Sequence, residues 1–459
     1  MTTPQRQLSI GGKIGYATGI YGVFLAWMMV ALYLLYFYTD VLGLTPGQAG
    51  LVFFIASMWD AVTDPVMGWL IEKTRTRWGK YRPYLLLAAV PFAASFAALF
   101  YVPDLSGSNL FVWALVMHIV FRTCYTAIYI PYTGLIARLS TDADERASIA
   151  GVKSVFISLA SLSISFLGLP AVTYFGGEDE AVGFLRTALV CASLAILALW
   201  VCFLVTREKV TPEAERRPTV KVADMVKALT GNRAFLLVFL GVLLFTGCYT
   251  ILNKSIVYFF KYDVGDRDAA RWALSAIAVA GILSPAIWVP ITHWTSKRFV
   301  WVAGCVLASA SLLAIYFLEI RDITALVIAL FIGGCGIHGF LMTFYAMVAD
   351  TADYGEWRSG HRVEAPLFGL VSLANKTSLA VGTWALAILL EGVGFMPNAD
   401  QTPETLTGMR QIMTVVPVAG FLASAVVIMF FPFSTADHRK MVAELAARRS
   451  GGQANLETP

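Results

Sequence analysis

Charge is scarce in this chain. Only 14% of its 459 residues are Asp, Glu, Lys or Arg, while 58% are hydrophobic. A soluble globular protein carries about 25% charged residues, and one of this length would split into several domains with polar surfaces; that class is excluded. Cysteine is sparse too. Cys124, Cys191, Cys202, Cys248, Cys305 and Cys335 all lie inside apolar runs and form no CxxC pair, so they read as small buried hydrophobes. HExxH, a nucleophile elbow, Cys/His metal spacing and a glycine-rich phosphate loop are all missing. A membrane-embedded enzyme is thus left without chemistry, and no cofactor is expected. The net charge of +4 forms no basic stripe interleaved with aromatics, which argues against nucleic acid as a partner. Residues 1–10 are polar without a cleavable signal pattern, so the first apolar run is expected to serve as its own insertion signal.

What the chain does have is apolar runs long enough to cross a bilayer, for which roughly 20 residues are needed. Twelve spans are expected, near 15–40, 47–71, 82–101, 109–137, 147–174 and 183–206, then near 233–262, 269–293, 298–318, 323–349, 364–391 and 405–432. Basic residues crowd the gaps after the second span (Lys73, Arg75, Arg77, Lys80, Arg82), the sixth (Arg207 through Arg233) and the eighth (Lys297, Arg298), and the tail (Arg439, Lys440, Arg448, Arg449). Asp40, Asp104, Glu178, Asp179 and Glu180 fall in the alternate gaps. By the positive-inside rule both termini face the cytoplasm of a multi-pass inner-membrane protein. The gap with Asp263, Arg267 and Arg271 is mixed and decides nothing.

The longest internal polar stretch, with Pro212 and Pro218, follows the sixth span. It divides the chain into an N-terminal six-helix half (1–206), a cytoplasmic linker (207–232), a C-terminal six-helix half (233–433) and a cytoplasmic tail (434–459) that is expected to be disordered after Arg449. The basic loops closing the second and eighth spans echo each other. An all-α membrane protein of twelve transmembrane helices in two six-helix halves is the major-facilitator architecture, with its site near the midplane. The short tail carries no extended signalling segment, which disfavours a non-transporting sensor.

Ionisable residues inside the spans carry the functional signal, because each costs about 2.5 to 3.5 kcal/mol at the bilayer centre. Asp60 and Asp64 are four residues apart and share one helical face. Their mutual repulsion would be relieved by sodium, lithium or a proton, and the Thr63 hydroxyl adds a hard oxygen ligand. The bland alternative is a salt bridge to a neighbouring helix. Pro65 removes a backbone donor and frees a carbonyl one turn earlier. His118, Arg122, Thr126 and Tyr129 form a stripe on the fourth span; Arg122 either balances a carboxylate or binds an anion, and His118 reads as a satisfied interior histidine. Lys254 and Lys376 are further intramembrane cations, while the glycines before His338 suit close helix packing. At the end of the tenth span, Asp350, Asp353 and Glu356 face Arg358 and Arg362. With Arg77 and Arg82 they read as a cytoplasmic gate of ion pairs, or as a plain solvated loop.

Several motifs are specific: 38–44 (YTDVLGL), 59–69 (WDAVTDPVMGW), 77–83 (RWGKYRP) and 348–356 (VADTADYGE). In these the chain resembles the glycoside–pentoside–hexuronide:cation symporters, whose best-known member is the melibiose carrier. The resemblance implies secondary transport of a small solute with a monovalent cation by alternating access in the lipid bilayer. It implies a cation site at Asp60 and Asp64, with Thr126 matching a family threonine and Thr63 standing where an asparagine is found. Lys376 matches a lysine between cation and sugar sites. Two sugar-binding aspartates are replaced here by Phe24 and Tyr129, a stacking tryptophan by Thr133, and an arginine by Ser154. With those carboxylates gone and Arg122, Lys254 and Lys376 present, charge balance favours an acidic solute such as a hexuronide or a sulfonated sugar. The family also reaches a lysophospholipid carrier, so an amphiphile passing Phe24, Trp27 and Tyr129 is the alternative solute.

Overall fold

The structure is a computed structural model that describes residues 8–140, 142–208, 231–359 and 364–454. Most of the expected linker and Arg362 lie outside the described residues. The helices run α1 (Ile10–Tyr36), α2 (Pro46–Lys73), α3 (Arg82–Leu87), α4 (Ala89–Leu99), α5 (Ser108–Leu139), α6 (Ala143–Gly176) and α7 (Glu180–Val205). They continue with α8 (Arg233–Phe259), α9 (Ala270–Trp294), α10 (Lys297–Phe317), α11 (Ile323–Ser359), α12 (Glu364–Gly392), α13 (Pro403–Met429) and α14 (Thr435–Ala454). Among the described residues eleven are long and apolar enough to cross a membrane.

Two expectations change here. The third span is not one helix but two short pieces, α3 and α4, interrupted at Ala88. Pro91 is the cause: it has no N–H for the Leu87 carbonyl, and its ring crowds that position. The tail after Arg449, expected to be irregular, continues as helix to Ala454.

Capping sets several starts. Thr45 and Gln48 form a reciprocal capping box ahead of Pro46, and Asp179 accepts from the N–H groups of Ala181 and Val182. A repeat absent from the sequence reading emerges at the ends of α1 and α8. Each runs into one π-helical turn, Phe37–Val41 and Phe260–Val264, with the pattern Phe-x-x-Asp-Val. Gly43 and Gly265 follow, both at φ +84°, where only glycine sits without strain.

The described chain packs as two compact units. The first is Met1–Arg216 with Asn253–Ala278 and Thr383–Ile412; the second is Arg217–Leu252 with Val279–Gly382 and Met413–Pro459. In the first, α1 packs against α6 and α7, and α2 against α5. Small residues allow this: a Cβ on Gly22 would fall 2.8 Å from the Ala195 backbone. Tyr16 and Tyr132 stack at 4.5 Å, and each hydroxyl donates to the other's carbonyl. In the second, α10 lies along α11, where Gly304 and Gly336 bring their backbones together.

Candidate functional site

Three helices of the first unit, α1, α2 and α5, and the end of α8 that belongs to it supply the site. On α2, Asp60 is buried and Asp64 half-buried; on α5, Arg122 and Thr126 oppose them. Both pairs are one turn apart, so they meet rung by rung. Arg122 Nη1 donates to Asp60 Oδ2 at 2.9 Å and Nη2 to Ser57 Oγ at 2.8 Å, while Thr126 Oγ1 donates to Asp64 Oδ1 at 3.1 Å. Of the two readings of Arg122, the structure therefore shows the carboxylate partner. Thr63 turns its hydroxyl to the Trp59 carbonyl of its own helix at 3.3 Å.

An aromatic column lies beside the charges. Trp27 of α1 stacks on Tyr125 at 4.8 Å, and Tyr125 on Tyr129 at 5.3 Å. The Arg122 guanidinium stands 5.1 Å from the centre of the Trp27 ring. Phe24 is half-buried one turn before Trp27. Lys254 of α8 is buried; its ammonium donates to the Ala31 carbonyl at 2.8 Å and lies 4.3 Å over the Phe53 ring. His118 is fully buried, with Tyr38 Oη 3.4 Å from Nδ1 and, among the described residues, no hydrogen-bond partner for Nε2. Lys376 is half-buried on α12 in the second unit. Among the described residues no group of three His, Cys, Asp or Glu is placed to hold a metal ion; the oxygen set at hand is two carboxylates and a threonine hydroxyl.

The residues expected at the gate sit in two places. In the first unit Arg77 stacks on Trp78 in the turn after α2, and Arg82 donates to the Phe203 carbonyl at 2.6 Å. Glu208, which the sequence reading passed over, accepts from the N–H groups of Lys80, Tyr81 and Arg82 at 2.7–2.9 Å. It thereby caps the start of α3 with negative charge. In the second unit Asp350 is held by Lys297 at 2.8 Å, and His438 of the tail helix lies 3.2 Å from Asp353. Glu356 is half-buried on the same helix.

A further ionic cluster was hidden among residues read as loop charges. Asp40 and Asp263 ride the π-helical turns inward. The Asp40 carboxylate is fully buried, pairing with Lys261 at 2.8 Å and accepting from the Tyr262 hydroxyl; Asn398 donates to its carbonyl. Asp263 pairs with Arg410 at 2.8 Å, and Arg267 with Glu180 at 2.7 Å. Removing one partner of a buried pair costs about 3–5 kcal/mol. Lys261→Met is therefore expected to cost about 3 kcal/mol, with the Asp40→Leu/Lys261→Met double variant recovering most of it. Thermal unfolding in detergent measures both; equal losses in the single and double variants would remove Asp40 as the stranded charge.

Long apolar helices around a buried cluster of charge define a multi-pass membrane carrier. The chain matches the family model of the MFS/sugar transport proteins over residues 15–435 and belongs to that family. It is similar to the isoprimeverose transporter of Lactiplantibacillus pentosus, 30% identical with 95% of this chain and 91% of the relative covered. A relative from Escherichia coli K12, named "Putative glycoside/cation symporter YagG", is 29% identical, with 97% and 96% covered. Among solved structures, an inward-facing bacterial homolog of the human lysosomal transporter Spinster shares the fold, with a TM-score of 0.67 and 13% identity over 92% of this chain and 95% of the other. The chain is thus a major-facilitator sugar carrier of the cation-symport class and not an enzyme.

Proposed function

We propose that the protein imports an acidic sugar or glycoside, of the hexuronide or sulfonated-sugar kind, together with a monovalent cation, by alternating access across the inner membrane. Both termini are cytoplasmic in this reading, and the halves 1–206 and 233–433 rock about the site, with 207–232 as the link between them. Asp60, Asp64 and Thr126 take the cation; Arg122, Lys254, Tyr129 and Phe24 face the solute.

The observation that carries the proposal is the charge balance of the first unit's site. Asp60 pairs with Arg122, Asp64 lies one turn along, and Lys254 is buried in the same unit against the Ala31 carbonyl and the Phe53 ring, which makes two negative and two positive side chains. A cation added to this balanced set leaves one excess positive charge in a low-dielectric region. A monoanionic solute removes it, whereas a neutral one does not. The Trp27–Tyr125–Tyr129 column ends in the half-buried rings of Trp27 and Tyr129, aromatic surface of the kind that packs against a sugar ring.

Uptake into proteoliposomes, screened over acidic and neutral glycosides with and without a sodium gradient, tests this. Acidic glycosides are expected to be taken up and to compete with one another, and lysolipids are expected not to compete. One cation with one anion moves no net charge, so a membrane potential alone, which contributes about 2.3 kcal/mol per charge per 100 mV, is expected to drive no accumulation. Uptake of an acidic glycoside unchanged in Arg122→Ala and Lys254→Ala would overturn the proposal.

A further inference from the structure

We propose that Arg122 is an internal counter-ion that exchanges with the coupling cation, sodium. Before sodium binds, the guanidinium holds Asp60; sodium entering between Asp60 and Asp64 releases it to bind the anionic group of the solute. This rests on the reading of an acidic solute given above, and its first test below does not depend on that reading.

Three observations support the exchange. The first is position: Asp60 and Asp64 are one turn apart on α2, and the α5 residues opposite them, one turn apart in turn, are a cation and a neutral hydroxyl. Sodium drawn to both carboxylates and the Thr126 hydroxyl competes with Arg122 for the Asp60 carboxylate, whose Oδ2 the guanidinium holds, because hard cations bind through oxygen. The second is chemistry. Arginine cannot shed its proton when it loses Asp60, so the displaced charge remains and has to be met by another anion. A lysine or histidine could become neutral instead. The third is the surroundings: Ser57 Oγ and the Trp27 face already touch the guanidinium, and they remain when Asp60 lets go. Cation–π contact eases the displaced charge without neutralising it. Trp27 is also the end of the aromatic column, so the freed guanidinium stands beside the ring stack that runs through Tyr125 to Tyr129.

Coupling follows by linkage. Without sodium, an anionic solute must take Arg122 from Asp60; with sodium bound, the arginine is free. The reciprocal holds, since a solute that engages Arg122 opens Asp60 to sodium by the same factor.

The test uses the full-length protein, purified in saturating sodium and then exchanged into choline chloride. The first measurement is sodium binding with no solute present, using radioactive sodium. Arg122→Gln removes the competitor and is expected to tighten sodium binding by about tenfold or more, within the usual range of coupling factors; Arg122→Lys, which keeps the charge, is expected to bind sodium about as the wild type does. Unchanged or weaker sodium binding in Arg122→Gln, or a wild type that binds no sodium, overturns the exchange whatever the solute is.

The second measurement is binding of methyl glucuronide and of neutral methyl glucoside. Asp60→Asn frees the arginine permanently, so it is expected to bind methyl glucuronide without sodium as tightly as the wild type does with it. A sodium dependence equal to that of the wild type in Asp60→Asn overturns the exchange. Tighter sodium binding in Arg122→Gln together with binding of the glucoside alone would uphold the exchange and sink the acidic-solute reading.

Discussion

Asp64→Cys is expected to abolish cation-driven accumulation while the protein still folds and inserts. A tenfold inward sodium gradient supplies about 1.4 kcal/mol, enough for an approximately tenfold accumulation of solute at one-to-one coupling; the variant is expected to reach a ratio of about one, which is equilibration only. The carboxylate of Asp64 is the one that Thr126 meets, on the rung next to the Asp60–Arg122 pair. Replacing it takes a charge out of a half-buried position, so the fold is expected to tolerate the change. Steady-state accumulation in proteoliposomes of matched protein content, with and without sodium, makes the measurement. Accumulation at the wild-type ratio would remove Asp64 from the cation site.

Gly304→Val is expected to have the largest effect on stability. A Cβ on Gly304 would come 2.5 Å from the Gly336 carbonyl oxygen and 3.3 Å from the Phe340 nitrogen; one on Gly336 would come 2.5 Å from the Gly304 oxygen and 2.7 Å from the Ala308 nitrogen. These obstacles are backbone, so no side chain can swing aside. Helices α10 and α11 would have to part along their length. Overpacking typically costs 1–3 kcal/mol, and a loss above about 3 kcal/mol is expected here because the obstruction cannot rotate away. Gly336→Val should behave alike. Gly151, on α6, has nothing within 4 Å of its would-be Cβ. Gly151→Ala is therefore expected to stabilise by about 0.5–1 kcal/mol through helix propensity alone. Thermal unfolding in detergent compares the three; a Gly304→Val protein as stable as the wild type would refute the close-packing argument.

The membrane class, the positions of most spans and the two central carboxylates could be read from the sequence, because each depends on local terms. Hydropathy over about 20 residues marks a span, and a four-residue spacing puts Asp60 and Asp64 on one face whatever surrounds the helix. The family motifs around those carboxylates pointed to a cation-coupled sugar carrier, and the family model over 15–435 supports the same assignment.

Which groups face one another was decided only by tertiary structure. Sequence spacing gives the angle of Arg122 on its helix but not the helix it meets, so its two possible partners could not be separated until α2 and α5 were packed. Asp40 and Asp263 looked like loop charges because they follow the apolar runs; a π-helical turn rotates each back into the protein, where Lys261 and Arg410 pair with them. Glu208 caps α3 from more than 100 residues away in sequence. The broken third span could have been anticipated from Pro91, whereas the ion pairs could not. A pairwise electrostatic contact depends on distance through space, which the linear order of residues does not contain.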